Sequence, residues 1–134
     1  MSPSVTWGLG LGLLIAAIDT ISVVLIGSGG PSNVPIADLD QIANVVLYSL
    51  IGFQVGKRTG VVRDAAEGGV IAGILVAVIG IGVAFALPAP AGGIRTAADA
   101  VAVVAMNVAM GGVLSIITGW VGARSQQDTS TTRR

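Results

Sequence analysis

Four apolar stretches fill nearly all of this 134-residue chain, over residues 5–26, 39–55, 69–87 and 98–121. A bilayer hydrocarbon core of ~30 Å is crossed by about 20 apolar residues in a helix. Each stretch approaches or exceeds that length, so lipid rather than water is the solvent in which this chain is expected to fold. The sequence predicts an all-α, integral membrane four-helix bundle. Residues 1–124 form one four-span transmembrane domain, and the Ser- and Thr-rich residues 125–134 are expected to be a disordered cytoplasmic tail.

Composition supports that reading and removes several functions. Hydrophobic residues make up 53% of the chain and charged residues 10%, whereas soluble domains carry about a quarter charged residues. Formal net charge is zero, which gives no bias towards nucleic acid. With no Cys and no His, disulfides, thiolate chemistry, the common zinc sites and His-based catalysis are absent. The chain is therefore expected not to be an enzyme and to hold no cofactor or metal. Its expected partners are the lipid bilayer and either further copies of itself or other membrane subunits.

The basic residues set the orientation. No Lys or Arg precedes the first apolar run, which is also too long for a signal-peptide core and is read as a retained first span. Lys57, Arg58 and Arg63 lie between the second and third spans, and Arg124, Arg133 and Arg134 follow the fourth; only Arg95 falls between the third and fourth. Six of the seven basic residues thus share one side with the N-terminus. The positive-inside rule places that side in the cytoplasm, and the membrane expected is the plasma membrane of a prokaryote. Lys57, Arg58, Arg63 and Arg124 are expected to fix topology and touch anionic headgroups. Trp7, Phe53 and Trp120 fall at the same boundary, where aromatic rings anchor helices. Residues 27–38 and 88–97, rich in Gly, Pro, Ser and Ala, read as short outer turns.

Small and polar residues recur at four-residue spacing, which places them on one helix face. The first span carries Gly8, Gly12, Ala16 and Thr20, and the third carries Gly69, Gly73 and Ala77 at an offset of 61. The second carries Asn44, Tyr48, Gly52 and Gly56, and the fourth carries Asn107, Gly111, Ser115 and Gly119 at an offset of 63. Such stripes let helix backbones approach closely in lipid. They suggest two tandem hairpins of like orientation. Asp38 and Asp99 precede the even spans at matching places, where an acid suits a helix N-terminus. Asp64 likewise reads as the cap of the third helix.

Asp19 is the one charged residue deep inside a span, seven residues or ~10 Å from its outer end at 1.5 Å per residue. Asn44, Tyr48 and Asn107 come to a similar depth. An intramembrane carboxylate faces a bundle interior or water and marks a functional site. The four residues are expected to form a polar cluster that serves either as an ion pathway or as an interhelical clasp. Asp38, Asp40 and Asp99 read as solvated helix-cap acids, with weak hold on a divalent cation the alternative if their helices converge.

The run Gly52-Phe53-Gln54-Val55-Gly56-Lys57-Arg58-Thr59-Gly60, followed by Ala65-Ala66-Glu67-Gly68-Gly69 and Gly73, resembles small glycine-rich four-span membrane proteins of archaea and bacteria. The resemblance covers the second and third spans and implies no functional residue. From the residues alone, the expected function is that of a small polytopic membrane protein of structural or accessory type, which self-associates or packs into a larger membrane complex. The alternative is a homo-oligomeric ion channel or minimal transporter built on the cluster around Asp19.

Overall fold

The computed structural model describes residues 1–27, 36–86, 94 and 96–131, and it contains four helices in those residues. They are α1 (Pro3–Gly27), α2 (Ile36–Thr59), α3 (Val62–Ala86) and α4 (Ala97–Thr131). The outer turns expected over 27–38 and 88–97 fall largely outside the described residues, as do Arg95, Arg133, Arg134 and the side chain of Asp38. Three helices, α1, α3 and α4, are long and apolar enough to cross a membrane. The expectation of four such spans meets an exception in α2, where Asp38, Asp40, Gln41, Asn44, Gln54, Lys57 and Arg58 lower the apolar content.

Helix ends depart from the hydropathy boundaries wherever polar residues keep a helix going. The third helix begins at Val62, not at residue 69, so the basic segment is no loop: only Gly60 and Val61 connect α2 to α3. Gly60 makes that sharp stop possible. Its φ of 70° lies in the left-handed region, which glycine enters without a Cβ penalty, and its N–H donates to the Gly56 carbonyl at 2.8 Å. This is the αL ending common at helix C-termini. Asp64 sits inside the first turn of α3 rather than ahead of it. At the other end of the chain, α4 continues to Thr131 because nothing after Gly122 is Gly or Pro. Residues 125–131 are therefore helical and not an extended tail.

Two helix starts are built locally. Ser2 stands before Pro3, and its carbonyl accepts from the Thr6 N–H at 3.1 Å. Proline in the first helical position loses no hydrogen bond there. Before α4, Thr96 and Asp99 form a reciprocal capping box: the Asp99 N–H donates to Thr96 Oγ1 at 3.1 Å and the Thr96 N–H to Asp99 Oδ2 at 2.8 Å. Asp99 thus lies within the first turn, and Thr96 is the cap.

Consecutive helices run antiparallel, as the pairing of Asp19 with Asn44 and of Gly69 with Gly111 requires. Like-numbered partners run parallel. Gly8 meets Gly68 and Gly12 meets Ala72 along α1 and α3, while Gly52 meets Ser115 and Gly56 meets Gly119 along α2 and α4. The two hairpins therefore lie side by side with the same orientation. Around the bundle the order is α1, α2, α4, α3, with α2 touching α3 across the middle and α1 not packed on α4 among the described residues.

The core occupies one half of the bundle, the half that holds the N-terminus of α1 and the C-terminus of α2. Ile15, Tyr48, Ile51, Val55, Ala65 and Ala72 are buried there, and glycines bring the backbones around them together. A Cβ added to Gly56 would strike the Gly119 backbone, one on Gly69 the Gly111 backbone, and one on Gly73 the Asn107 carbonyl region. Ala16, Ala77 and Ser115 are buried as well. On α2 and α4 the facing residues are the repeat-equivalent ones, 63 apart. On the odd helices the expected match fails by one position: Gly69 and Gly73 turn towards α4, and Gly68 and Ala72 meet α1 instead. Ala65, Gly68, Ala72 and Gly122 also serve as close-approach positions, the last against the Phe53 carbonyl.

Candidate functional site

The polar side chains of the spans collect in the other half of the bundle. Asp19 is eight residues from Gly27 at the end of α1, a rise of ~12 Å. Its Oδ1 accepts from Asn44 Nδ2 on α2 at 3.0 Å. One turn further along α2, the Tyr48 hydroxyl donates to Asn107 Oδ1 on α4 at 3.4 Å, a long bond. Asp19, Asn44, Tyr48 and Asn107 are thus arranged as two bonded pairs, linked by the single turn of α2 between Asn44 and Tyr48. Each pair crosses a helix interface. Asn107 Nδ2 is satisfied within α4 by the Val103 carbonyl at 3.0 Å, and Ser115 Oγ donates to the Tyr48 carbonyl at 3.0 Å. Thr20 returns its hydroxyl to Ala16 in its own helix at 2.7 Å and adds nothing across the interface.

Two further residues belong to the site. Asp40 lies one turn before Asn44, the residue that bonds Asp19. Asp40 Oδ1 accepts from Ser22 Oγ, one turn beyond Asp19 on α1, at 3.1 Å. The spacing Asp40, Asn44, Tyr48 carried this information, since residues four apart share a helix face. Nearness to the span's end hid it. Asp99, by contrast, is held in its capping box, and no group of three acidic residues converges among the described residues. The convergence of Asp38, Asp40 and Asp99 that a shared cation would need involves the side chain of Asp38, which lies outside the described residues.

Asn44 is 7% exposed, and its Oδ1 is buried with no hydrogen-bond partner. A buried acceptor without a donor is costly, so this atom stands out in an otherwise paired layer. Asp19 is also reached from the side. Between α1 and α3 a cleft of about 70 Å³ is lined by Ala16, Asp19, Thr20, Val76, Gly80 and Ala84 with two valines. That exceeds the volume of one water, ~10–15 Å³, but its walls are apolar apart from Asp19 and Thr20, and an apolar cavity stays dry whatever its size. The cleft exists because α1 and α3 touch through Gly8 and Gly12 but part beyond them; an added Cβ on Gly80 meets nothing within 4 Å.

The opposite end of the bundle carries a basic and aromatic belt. The Arg124 guanidinium stacks 3.5 Å from the Trp120 ring centroid, Arg58 5.2 Å from Trp7, and Lys57 Nζ 5.9 Å from Phe53. These cation–π contacts hold the charges beside rings on three different helices at one level. Arg63 lies at the same end, exposed in the first turn of α3.

Comparison of the chain with protein-family models, curated proteins and solved structures finds no match in any of the three.

Proposed function

We propose that this chain is a four-span integral membrane protein of structural or accessory type, which associates with itself or with other membrane subunits and performs no catalysis. The observation that carries the reading is the contrast between a closed centre and an apolar exterior with small-residue gaps. Tyr48, Ile51 and Val55 fill the middle of the bundle, so a single copy offers no passage. Outside, Leu13, Ile21, Val46, Ile74, Val113 and Ile117 are exposed, and Gly10 and Gly82 have open space where a neighbouring helix backbone fits.

The polar content of α2 is compatible with a fourth span. Its Asn44 and Tyr48 are turned inwards, while its exposed large apolar residues are Leu39, Ile42, Val45, Val46 and Leu50, with Gln41 exposed near its outer end. Lipid would meet an apolar surface on all four helices. The belt of Lys57, Arg58, Arg63 and Arg124 supports a cytoplasmic position for that end, and with it for both termini, in a prokaryotic plasma membrane. Mass measurement of the full chain in native membrane particles tests the proposal. Assemblies larger than one chain are expected, and a population consisting only of monomer overturns it.

A second reading, a homo-oligomeric ion channel or minimal transporter, is favoured by Asp19, which bonds Asn44 across the α1–α2 interface and lines the cleft between α1 and α3. It expects ion flux in proteoliposomes that changes with Asp19→Asn. Unchanged flux in that variant removes Asp19 from any pathway.

A further inference from the structure

We propose that the outer face of α4 binds an anionic phospholipid, with its phosphate on Arg124 and an acyl chain along Ile117 and Val113. The inference rests on the membrane reading above and adds one class of bound lipid at one place.

Spacing builds the face. Val113, Ile117, Trp120 and Arg124 follow one another at four, three and four residues, which lines them up on one side of a helix. All four are exposed. They point away from the bundle, because Gly119 meets Ala65 on α3 and Gly122 meets the Phe53 carbonyl on α2. A cation, an indole and two aliphatic side chains thus stand in line over ~16 Å of helix. A phospholipid beside a spanning helix presents its phosphate, interfacial region and acyl chain in that same order.

Arg124 is prepared for an anion. Its guanidinium stacks on the Trp120 ring at 3.5 Å from the centroid, so one flat face is covered and the edge that carries the N–H donors stays open. Among the described residues, no carboxylate or carbonyl takes those donors. A planar fork of this kind matches two phosphate oxygens. The ring holds it in place beforehand, so less side-chain freedom is lost on binding. Lys57, Arg58 and Arg63 add charge of the same sign, and the helix registers bring them within ~6 Å of the depth of Arg124. The described acids at that end are Asp64 and Glu67, both on α3, so positive charge is in surplus where an anionic leaflet would lie. An acidic protein would meet that charge but leave the aliphatic row beneath it unused.

Trp7→Phe leaves Trp120 as the single tryptophan of the chain, and brominated acyl chains quench an indole only on contact. The probes are phosphatidylglycerol and phosphatidylcholine carrying the same brominated chains, each diluted into phosphatidylcholine vesicles that hold the full-length chain. Phosphatidylglycerol is expected to associate about fivefold more strongly, the strength of one basic side chain at an anionic surface. Arg124→Gln should abolish that preference. Arg63→Gln, at the same end but off this face, should keep it, and inorganic phosphate at constant ionic strength should leave it unaltered. Equal quenching by the two lipids overturns the proposal and spares the membrane reading. Equal loss in Arg63→Gln also overturns it, by assigning the preference to the field of the whole belt, and suppression by inorganic phosphate does so by making the ligand a free anion. Quenching by neither lipid defeats the membrane reading and the lipid site together.

Discussion

The two halves of the bundle are built on different terms. In the half that holds the N-terminus, backbones touch through Gly8, Gly52, Gly56, Gly69 and Gly119, and apolar side chains fill the remaining space. In the other half the small residues give out on the α1–α3 seam, the helices part, and cross-helix polar bonds take over through Asp19, Asn44, Ser22 and Asp40. Lipid tails are as apolar as leucine, so helices in a membrane are held by close packing and polar bonds rather than by apolar attraction. This molecule uses one of those means at each end. The cleft between α1 and α3 opens at the loosely packed end, and Asp19 is one of the residues that line it.

The sharpest break of this contrast is Gly56→Leu against Gly80→Leu. A side chain at residue 56 must displace the Gly119 backbone, and overpacking of that kind costs ~3 kcal/mol or more. At residue 80 the added atoms enter the cleft, where nothing lies within 4 Å of a Cβ. The expected cost there is below about 1 kcal/mol, since the residue change disturbs no packed contact. Reversible unfolding in mixed micelles measures both, and equal losses would mean that the two seams are packed alike.

Thr96→Ala probes the loosely packed end with a smaller effect. Loss of the capping hydroxyl costs ~1 kcal/mol. Because residues 97–102 have few buried neighbours to hold them, the loss should concentrate in the first turns of α4. Hydrogen exchange is expected to rise over residues 97–102 and stay unaltered over 111–123. Uniform acceleration along α4 would show instead that the helix opens as one unit.

Much of this fold is legible in the residues, and what escapes does so for identifiable reasons. Four apolar runs announce four helices, because hydropathy reports contact with lipid. It does not report the backbone hydrogen-bond ladder, which carries α3 back through Arg63 and Asp64 to Val62 and α4 on through Ser125 to Thr131. Four-residue spacing reveals which small residues share a face but not which neighbour that face meets. Gly69 and Gly73 therefore align with Gly8 and Gly12 in sequence yet pack on α4. The pairings follow from matching depth, of Asp19 with Asn44 in antiparallel helices and of Tyr48 with Asn107 in parallel ones. Asp40 escapes because its place near a span's end suggests a solvated cap, whereas its side chain turns to Ser22 on α1.

Tyr48→Phe makes the finest distinction, since Tyr48 stands where the two halves meet. Its ring is fully buried and lies against Gly111, as the tight half requires, while its hydroxyl reaches Asn107 at 3.4 Å, as the polar half requires. Phenylalanine keeps the ring and deletes only the hydroxyl. A hydrogen bond between membrane helices is worth ~0.6 kcal/mol on average, and this one is long. Asn107 Nδ2 keeps its bond to the Val103 carbonyl in the variant, while Asn107 Oδ1 loses the Tyr48 donor. The expected loss is ~0.6 kcal/mol and no more than ~1.7 kcal/mol, read as unfolding stability in the same micelles used for Gly56→Leu. A loss several times larger would mean that the polar half fixes the position of α4, and that glycine packing follows from it.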